Sequence, residues 1–294
     1  MDSDDLRGIV DPYEMLRYVD FERTEPGPVL APVVEWLWSV HWQIPEGRTH
    51  HQRILNHPAG NISVGTLNGR GEALDTAEGR VYGVFEEVSH RPLRREGWTV
   101  AARLTVGGLG AVVGRPAKEL CNTELNFGDA FSPVLDSDRA DSVVRRVSEL
   151  SANVKRVDQL RSDLEEVVAG RDVELVAEAA AVSAIARVAE EDRSVKTADQ
   201  LAEIAAVSAR TLQRQFDRHV GVSPSYVIRR WRIIEAVEEA RLSAEEIESW
   251  HGWARVAAEL GYSDQAHLTR DFRRHLGVTP SAYRSRQTLS LIHI

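Results

Sequence analysis

The sequence predicts an α+β N-terminal domain, β-rich and barrel- or sandwich-like with some helices, followed by an all-α domain built from two helix-turn-helix units. Three observations support this prediction. Apolar residues recur with a period of two in the first half, which is typical of half-buried strands, and with helical spacing in the second half. The second half also repeats itself. Finally, the chain of 294 residues is long enough for two domains that each bury a core.

The strand pattern is clearest from Glu35 to Ile44. Alternate residues there are large and apolar and fall on one face of a strand, namely Trp36, Trp38, Val40, Trp42 and Ile44. A sheet core explains this stripe better than an aromatic cage for a ligand does. Further strand-like runs, separated by turn signals at Asn68-Gly69 and Gly107-Gly108, are Asn61–Leu67, Val81–Val88 and Thr99–Val106.

The spacing becomes helical after Gly108, first near Leu109–Leu120 and then across Ser137–Val168. Gly170 is expected to end a helix or begin a linker, which places a domain boundary near residues 170–177. The Ala-, Val-, Leu- and Glu-rich run Asp158–Glu191 fits either a dimerisation helix or an ordinary amphipathic linker. We therefore divide the chain into residues 1–136, a β-rich domain; 137–177, a helical linker or dimerisation region; 178–286, the helix-turn-helix domain; and 289–294, a separate tail.

The second half is predicted to be all helix. The predicted helices are Val173–Glu191, Ala198–Ala205, Ala209–His219, Pro224–Ala240, Arg255–Leu260 and Gln265–Leu276. Ser223-Pro224 and Thr279-Pro280 each place a hydroxyl at the N-cap and proline at the first helical position, where its missing N–H is harmless. Both pairs therefore predict the start of a helix.

The second half repeats at an offset of 56 residues. The residues Leu212, Arg214, Phe216, Arg218, His219, Gly221, Val222, Pro224 and Ser225 recur as Leu268, Arg270, Phe272, Arg274, His275, Gly277, Val278, Pro280 and Ser281. Leu268 and Phe272 lie four apart on one helical face, and Arg270 between them projects elsewhere. Each repeated helix thus packs one side and offers a guanidinium on another.

A second helix precedes each repeated one, as a helix-turn-helix requires. In the second unit Ala257 and Gly261 suit a close helix contact followed by a turn, and Ser263-Asp264 can cap the next helix. In the first unit Ala206 stands where glycine is usual. A left-handed alanine there would cost on the order of 1 kcal/mol, unless the turn differs slightly.

The stretch from Leu201 to Arg284 resembles the DNA-binding domain of the AraC/XylS family of bacterial transcription regulators. The segments that show the resemblance are Leu212-Gln213-Arg214-Gln215-Phe216, Gly221-Val222-Ser223-Pro224, Glu259-Leu260-Gly261-Tyr262-Ser263-Asp264 and Phe272-Arg273-Arg274-His275-Leu276-Gly277-Val278-Thr279-Pro280-Ser281-Ala282-Tyr283. The resemblance covers about a third of the chain. Its N-terminal half resembles, more weakly, the poorly characterised sensor-type domains that are often fused to such modules.

The resemblance implies that the second helix of each unit enters a major groove of DNA. In the first, Arg210, Gln213 and Arg214 match the family's base-contacting positions; in the second, the matching positions are Gln265, Thr269 and Arg270, with Ala266 placed to touch a thymine methyl. Arg218, Arg273 and Arg274 are expected to contact phosphates or solvent. A linker helix of 18 residues, Pro224 to Arg241, would be roughly 27 Å long, which suits recognition helices about one DNA turn apart.

The charge distribution agrees with a DNA-binding second half. Residues 1–177 carry 20 Lys and Arg against 29 Asp and Glu, a net charge of -9, whereas residues 178–288 carry 16 of each. The acidity therefore lies in the N-terminal part. We expect double-stranded DNA as the partner of the second half, and leave open RNA polymerase and a second copy of the chain. We also expect the N-terminal domain to bind an unidentified small-molecule effector in a pocket of its β-rich part, which Trp36, Trp38 and Trp42 could line if they do not pack in the core.

Other function classes are less compatible with the sequence. DNA repair proteins with similar modules need several cysteines, and this chain has only Cys121, which also excludes an internal disulfide and fits a cytoplasmic location. His41, His50, His51 and His57 lack HxH or HExxH spacing, so we expect no metal. No nucleophile elbow or phosphate-binding glycine loop is found, and we expect neither enzymatic activity nor a cofactor. An interaction module that has lost DNA binding would not need Arg210, Arg214 and Arg270.

The two ends of the sequence carry two further expectations. No signal peptide is recognised at the acidic start, and no run is apolar enough to cross a membrane. The last six residues, Leu289 to Ile294, continue no helical period and resemble a translated sequencing adapter. We expect this tail to be non-native and unpacked.

Overall fold

The computed structural model describes residues 7–67, 73–132, 137–245 and 252–292. The strands of the N-terminal half are β1 (Val19–Thr24), β2 (Val34–Gln43), β3 (His50–Ile54), β4 (Asn61–Leu67), β5 (Ala73–Tyr82), β6 (Ser89–Leu93), β7 (Glu96–Leu104) and β8 (Glu124–Asn126). Six of them form one antiparallel sheet in the order β1-β2-β7-β4-β5-β8. The sheet is open rather than closed into a barrel, so the sandwich-like prediction is confirmed and the barrel-like alternative is wrong.

The remaining two strands, β3 and β6, pair with each other as a separate two-stranded sheet. This small sheet lies over one face of the large sheet, and the two enclose a cavity. The opposite face of the large sheet packs against helices α2 (Gly108–Val113), α3 (Phe127–Phe131), α4 (Ser137–Ser148) and α5 (Asn153–Ala169). Leu37, Val100 and Ile62 are fully buried on that face. The N-terminal half is therefore layered, with a short helix α1 (Pro12–Met15) at its start.

The strand predictions for Glu35–Ile44, Asn61–Leu67 and Thr99–Val106 agree with β2, β4 and β7. The prediction for Val81–Val88 is wrong beyond Tyr82, where β5 ends. A Cβ atom on Gly83 would lie 1.6 Å from the carbonyl oxygen of Leu120, so the backbone there meets another segment and leaves the sheet. Strands β1, β3, β6 and β8 were not predicted. The predicted turn at Asn68-Gly69 lies outside the described residues.

Both helix predictions of the N-terminal half are interrupted in the structure. The predicted helix Leu109–Leu120 ends at Val113, where Gly114 adopts a left-handed φ of 80°, and resumes as a 3₁₀ helix at Ala117–Leu120 after Pro116. The run Ser137–Val168 forms two helices, α4 and α5, separated by residues 149–152. Glycine and proline explain the first break, because both stop a helix at these positions.

The C-terminal half is all helix in its described ranges. The helices are α6 (Val173–Glu191), α7 (Ala198–Ile204), α8 (Ala209–His219), α9 (Pro224–Glu245), α10 (Trp253–Glu259), α11 (Gln265–Leu276) and α12 (Pro280–Ile292). All six predicted helices are present, and α9 is longer than predicted. The predicted caps are confirmed as well, because Ser223 accepts a hydrogen bond from the Tyr226 amide and Thr279 from the Ala282 amide, each at 3.2 Å.

The two halves share a hydrophobic core. Val10, Leu55 and Val84 belong to the same buried cluster as Trp231 of α9 and Tyr283 of α12. Helix α6 contributes to both cores, since Ala179 packs with the sheet and helices of the first half, whereas Val182, Ala186 and Ala189 pack with the second. The boundary predicted near residues 170–177 thus falls between α5 and α6, without separating the two cores. Within the described ranges, none of the helices is both long and apolar enough to cross a bilayer.

The C-terminal tail only partly behaves as expected. Helix α12 continues to Ile292, so the backbone of the tail is helical over most of its length. Leu289 is 58% exposed, in line with an unpacked tail. The proposal that these residues are non-native stays a prediction.

Candidate nucleic-acid interface

The first helix-turn-helix unit consists of α7 and α8. Thr197 caps α7 in a reciprocal capping box with Gln200, and Ser208 caps α8 by accepting a hydrogen bond from the Thr211 amide at 3.1 Å. Leu212 and Phe216, four residues apart on α8, are fully buried. These contacts fix which face of α8 points outward.

The second unit, α10 and α11, is built in the same way. Asp264 caps α11 by accepting a hydrogen bond from the His267 amide at 2.7 Å. Leu268 and Phe272 are fully buried at the positions that Leu212 and Phe216 occupy in the first unit. Gly277 ends the helix in the left-handed conformation.

The turns of the two units have the same backbone geometry. Ala206 has a φ of 53° and Gly261 a φ of 76°, so both lie in the left-handed region. In each turn the next amide donates to a carbonyl five residues back, from Val207 to Ala202 at 3.0 Å and from Tyr262 to Ala257 at 2.9 Å. Ala206 therefore occupies the glycine position in the left-handed conformation despite its Cβ atom. Of the two alternatives that the sequence left open, a strained alanine or a different turn, the structure has the first.

Most of the side chains predicted to contact DNA are exposed. The exposed ones are Arg210, Arg214, Arg218, Gln265, Ala266, Arg270, Arg273 and Arg274. Gln213 and Thr269 are half-buried, and the Gln213 side-chain amide donates to Asp217 at 3.0 Å. Within the described residues, Arg214 and Arg270 have no carboxylate within ion-pair distance. Both guanidinium groups are therefore available on the outer faces of their helices.

Arg218 differs from its counterpart in the second unit, Arg274. Its guanidinium lies 3.0 Å from Glu178 of α6, and the buried His219 ring nitrogen lies 3.4 Å from the same carboxylate. Burial lowers the pKa of His219, and the neighbouring Arg218 lowers it further. Arg218 thus helps to hold α8 against α6, a role that the sequence pattern did not indicate.

Helix α9 connects the two units and is largely buried. Trp231, Ile233 and Ile234 are fully buried along it. Arg232, 4% exposed, donates to the backbone carbonyls of Asp192 at 2.9 Å and Val195 at 3.1 Å. Because α6, α7, α11 and α12 all pack against α9, this helix sets the relative position of α8 and α11.

The cavity of the N-terminal half is a second candidate site. It has a volume of about 240 Å³ and lies between the face of the large sheet that carries Trp36, Trp38 and Trp42 and the small sheet β3–β6. Trp42 is buried, as the sheet-core interpretation expects, whereas Trp36 and Trp38 are half-buried at the cavity wall. The sequence favoured core packing for all three over the lining of a pocket, whereas all three line the cavity.

The cavity adjoins the linker helix. Arg7, which lines the cavity, lies 2.8 Å from Glu190 of α6, and its guanidinium is 5.1 Å from the ring centre of Trp231. His57, another lining residue, packs edge-on against Trp231 at 5.0 Å, and one ring nitrogen lies 3.0 Å from the Arg7 carbonyl. Burial lowers the pKa of His57 well below its usual value, and the nearby Arg103 adds to this effect.

The histidines noted in the sequence do not form a cluster. His41 lies 3.1 Å from Glu96, His50 lies 3.0 Å from Gln52, and His57 contacts the Arg7 carbonyl. Across the part of the chain that the structure describes, no group of three His, Cys, Asp or Glu side chains is arranged to hold a metal ion.

Residues 201–286, which contain both units, match the family model of a helix-turn-helix domain. This region is an AraC-type helix-turn-helix domain. A second model, a domain of unknown function (DUF6597), matches residues 22–126 and thus most of the large sheet.

One curated relative is a transcriptional activator. The chain is 30% identical over 82 residues to the HTH-type transcriptional activator RhaS of Escherichia fergusonii, which covers 28% of this chain and 27% of the relative. The match therefore spans about a quarter of the length of RhaS. Helix-turn-helix domains in general place their second helix in the major groove of DNA.

Solved structures similar to most of the chain include ToxT from Vibrio cholerae. One crystal structure of ToxT has a TM-score of 0.40 at 9% identity, covering 86% of this chain and 98% of ToxT. ToxT with a bound unsaturated fatty acid has a TM-score of 0.41 at 10% identity, covering 84% and 94%.

Proposed function

We propose that this protein is a sequence-specific, DNA-binding transcription regulator that contacts two adjacent major-groove segments with α8 and α11. The observation that supports this most is the pair of matched recognition helices. Each buries a leucine and a phenylalanine and exposes an arginine, Arg214 or Arg270, in the same helical frame. Arginine is the side chain that most often contacts guanine, through two parallel hydrogen bonds.

The length of α9 fits this arrangement. Its 22 residues give a helix roughly 33 Å long, close to one turn of DNA at about 34 Å. A single chain with this spacing contacts two groove segments, for which a protein with one helix-turn-helix unit needs a dimer.

The two recognition helices differ in their polar side chains. Helix α8 presents Arg210, Gln213 and Arg214, whereas α11 has Ala266 at the position equivalent to Arg210. Arginine and glutamine distinguish bases by hydrogen bonding, and alanine offers only a methyl contact. We therefore assign more of the base recognition to α8, and more of the backbone and shape recognition to α11.

The test starts with selection of bound sequences from a random DNA pool and then measures single-arginine variants against all single-base variants of the selected site. Arg214→Ala and Arg270→Ala are each expected to cost roughly 1–3 kcal/mol and to relax preference at positions about one helical turn apart. Arg274→Ala is expected to weaken binding by the same factor for every DNA sequence. It should also reduce the slope of log affinity against log salt concentration by about one. Arg145→Ala, which removes an exposed arginine from α4, is the control.

Two results would contradict the proposal. If an Arg214→Ala protein loses affinity but keeps its sequence preference, α8 positions the protein and does not recognise bases. If no sequence is enriched from the pool, and binding has the same salt dependence for every DNA tested, the protein is not a sequence-specific regulator.

The proposal includes control by a small molecule in the N-terminal cavity. The support is the direct contact between cavity-lining Arg7 and His57 and the linker-helix residue Trp231. Because α9 fixes the spacing of the two recognition helices, a ligand that shifts these contacts changes the geometry offered to DNA. We expect the DNA affinity of the full chain to change when the cavity is occupied.

A further inference from the structure

We propose that the N-terminal cavity binds a small aromatic monocarboxylate, with the carboxylate held at Arg103 and Arg23 and the ring between the indole side chains. The inference rests on the proposed ligand control and names the chemical class of the ligand. Three independent features of the cavity lead to it, namely its charge, an unsatisfied buried donor and its size.

The cavity wall is positively charged. Four arginines line it, and none of its lining residues in the described ranges is Asp or Glu; the arginines are Arg7, Arg23, Arg91 and Arg103. Among the described residues, Glu35 lies 3.1 Å from Arg103 and Glu190 lies 2.8 Å from Arg7, and neither carboxylate belongs to the lining. An anion is the ligand charge that such a wall favours.

The arginines are arranged around an indole. The guanidinium carbons of Arg23 and Arg103 each lie 4.1 Å from the ring centre of Trp36. A guanidinium that stacks on an aromatic ring uses its face, so its N–H groups in the plane remain able to bind a carboxylate. Trp36 therefore holds two cationic groups at the cavity wall.

Arg103 carries an unsatisfied buried donor. Its side chain is 7% exposed, and its Nε–H has no hydrogen-bond acceptor among the described residues, although its terminal nitrogen contacts Glu35. Burial lowers the pKa of Arg103 to about 10, so the group stays protonated at neutral pH. A buried donor without an acceptor is costly, and a ligand carboxylate would supply the missing acceptor.

The rest of the cavity wall indicates the size and polarity of the part of the ligand that carries the carboxylate. Apolar and aromatic side chains predominate, among them Phe21, Trp36, Trp38, Val40, Trp42 and Leu93. A cavity of about 150 Å³ holds benzene, so about 240 Å³ suits one or two rings with a short acid group and is too small for a long acyl chain. Flat rings also stack well on indole.

The experiment is isothermal titration calorimetry on the full chain with benzoate, cinnamate and indole-3-acetate, each paired with its neutral amide. At least one acid is expected to bind ten times or more tightly than its amide. Arg103→Gln and Arg23→Gln are each expected to lower the affinity for that acid tenfold or more. Arg145 is an exposed arginine on the opposite side of the sheet, so the Arg145→Gln protein should bind the acid like the wild type. Arg23 lies on the edge strand β1 and is half-exposed, so it decides the question if Arg103→Gln does not fold.

Mobility-shift assays on the same preparations separate this inference from the proposed function. If DNA binds specifically and none of the three acids binds, or acid and amide bind equally, the ligand class is wrong and the regulator function stands. Wild-type affinity for the acid in folded Arg23→Gln protein likewise overturns the inference. If the acid binds and no specific DNA binding is found, the cavity inference stands and the proposed function fails.

Discussion

Ala206 offers a sharp test of the turn geometry in the first helix-turn-helix unit. Its φ of 53° places an alanine in the left-handed region, which costs roughly 1–2 kcal/mol relative to a permitted conformation. The side chain is exposed, so Ala206→Gly removes no packing. Glycine has more freedom in the unfolded chain, which offsets about 0.4–1 kcal/mol of the gain. We expect the free energy of unfolding to rise by roughly 0.5–1 kcal/mol.

The assay is urea unfolding followed by circular dichroism, with the midpoint and the slope compared between variants. Gly261→Ala is the reciprocal change, at a φ of 76°, and is expected to lower the free energy of unfolding by roughly 0.5–1 kcal/mol, because the same unfolded-state effect offsets part of the strain. Its new Cβ would lie 3.0 Å from the flexible Lys196 side chain, which can move. Ala184→Gly, at an exposed helical position in α6, is the control and should destabilise by about 1 kcal/mol. If Ala206→Gly destabilises as Ala184→Gly does, the left-handed strain assigned to Ala206 is absent.

Two further predictions concern the contacts between the halves. The buried Tyr283 hydroxyl donates to the Val10 carbonyl, so Tyr283→Phe is expected to lower the free energy of unfolding by about 1 kcal/mol in the same urea assay; an unchanged midpoint would show that this hydrogen bond adds nothing. Burial lowers the pKa of His57, so the folded state binds fewer protons than the unfolded state and stability falls as the pH drops below about 6.5. His57→Gln should make this fall shallower between about pH 7 and pH 5, and equal slopes for the two proteins would refute the assignment.

The recognition helices could be predicted because their signals are local. The N-cap residues Ser208 and Asp264 and the leucine–phenylalanine spacing lie within one helix each, and the bounds of α8 and α11 agree with the sequence prediction. The repeated arginines, Arg214 and Arg270, indicated which face of each helix points outward. The ion pair of Arg218 with Glu178 was not predicted, because it depends on how α6 docks against α8.

The way in which the cavity is enclosed could not be predicted for a similar reason. Alternation along β2 places Trp36 and Trp38 on one face but does not say what covers that face. The cover comes from β3 and β6, two short strands with weak patterns that pair with each other although β4 and β5 separate them along the chain. Arg103 was a further signal, since an arginine within the apolar strand β7 points to a buried charge that needs a partner.

The contacts of Val10 limit how modular this protein is. Its carbonyl accepts hydrogen bonds from both Tyr283 and Gln287 of the last helix, and its side chain joins the core around Trp231. The segment around Val10 and the last helix are therefore linked, and the two halves are expected to unfold in one cooperative transition. Exchange of the N-terminal half for that of a relative would leave part of this core without partners, so the two halves must vary together in evolution.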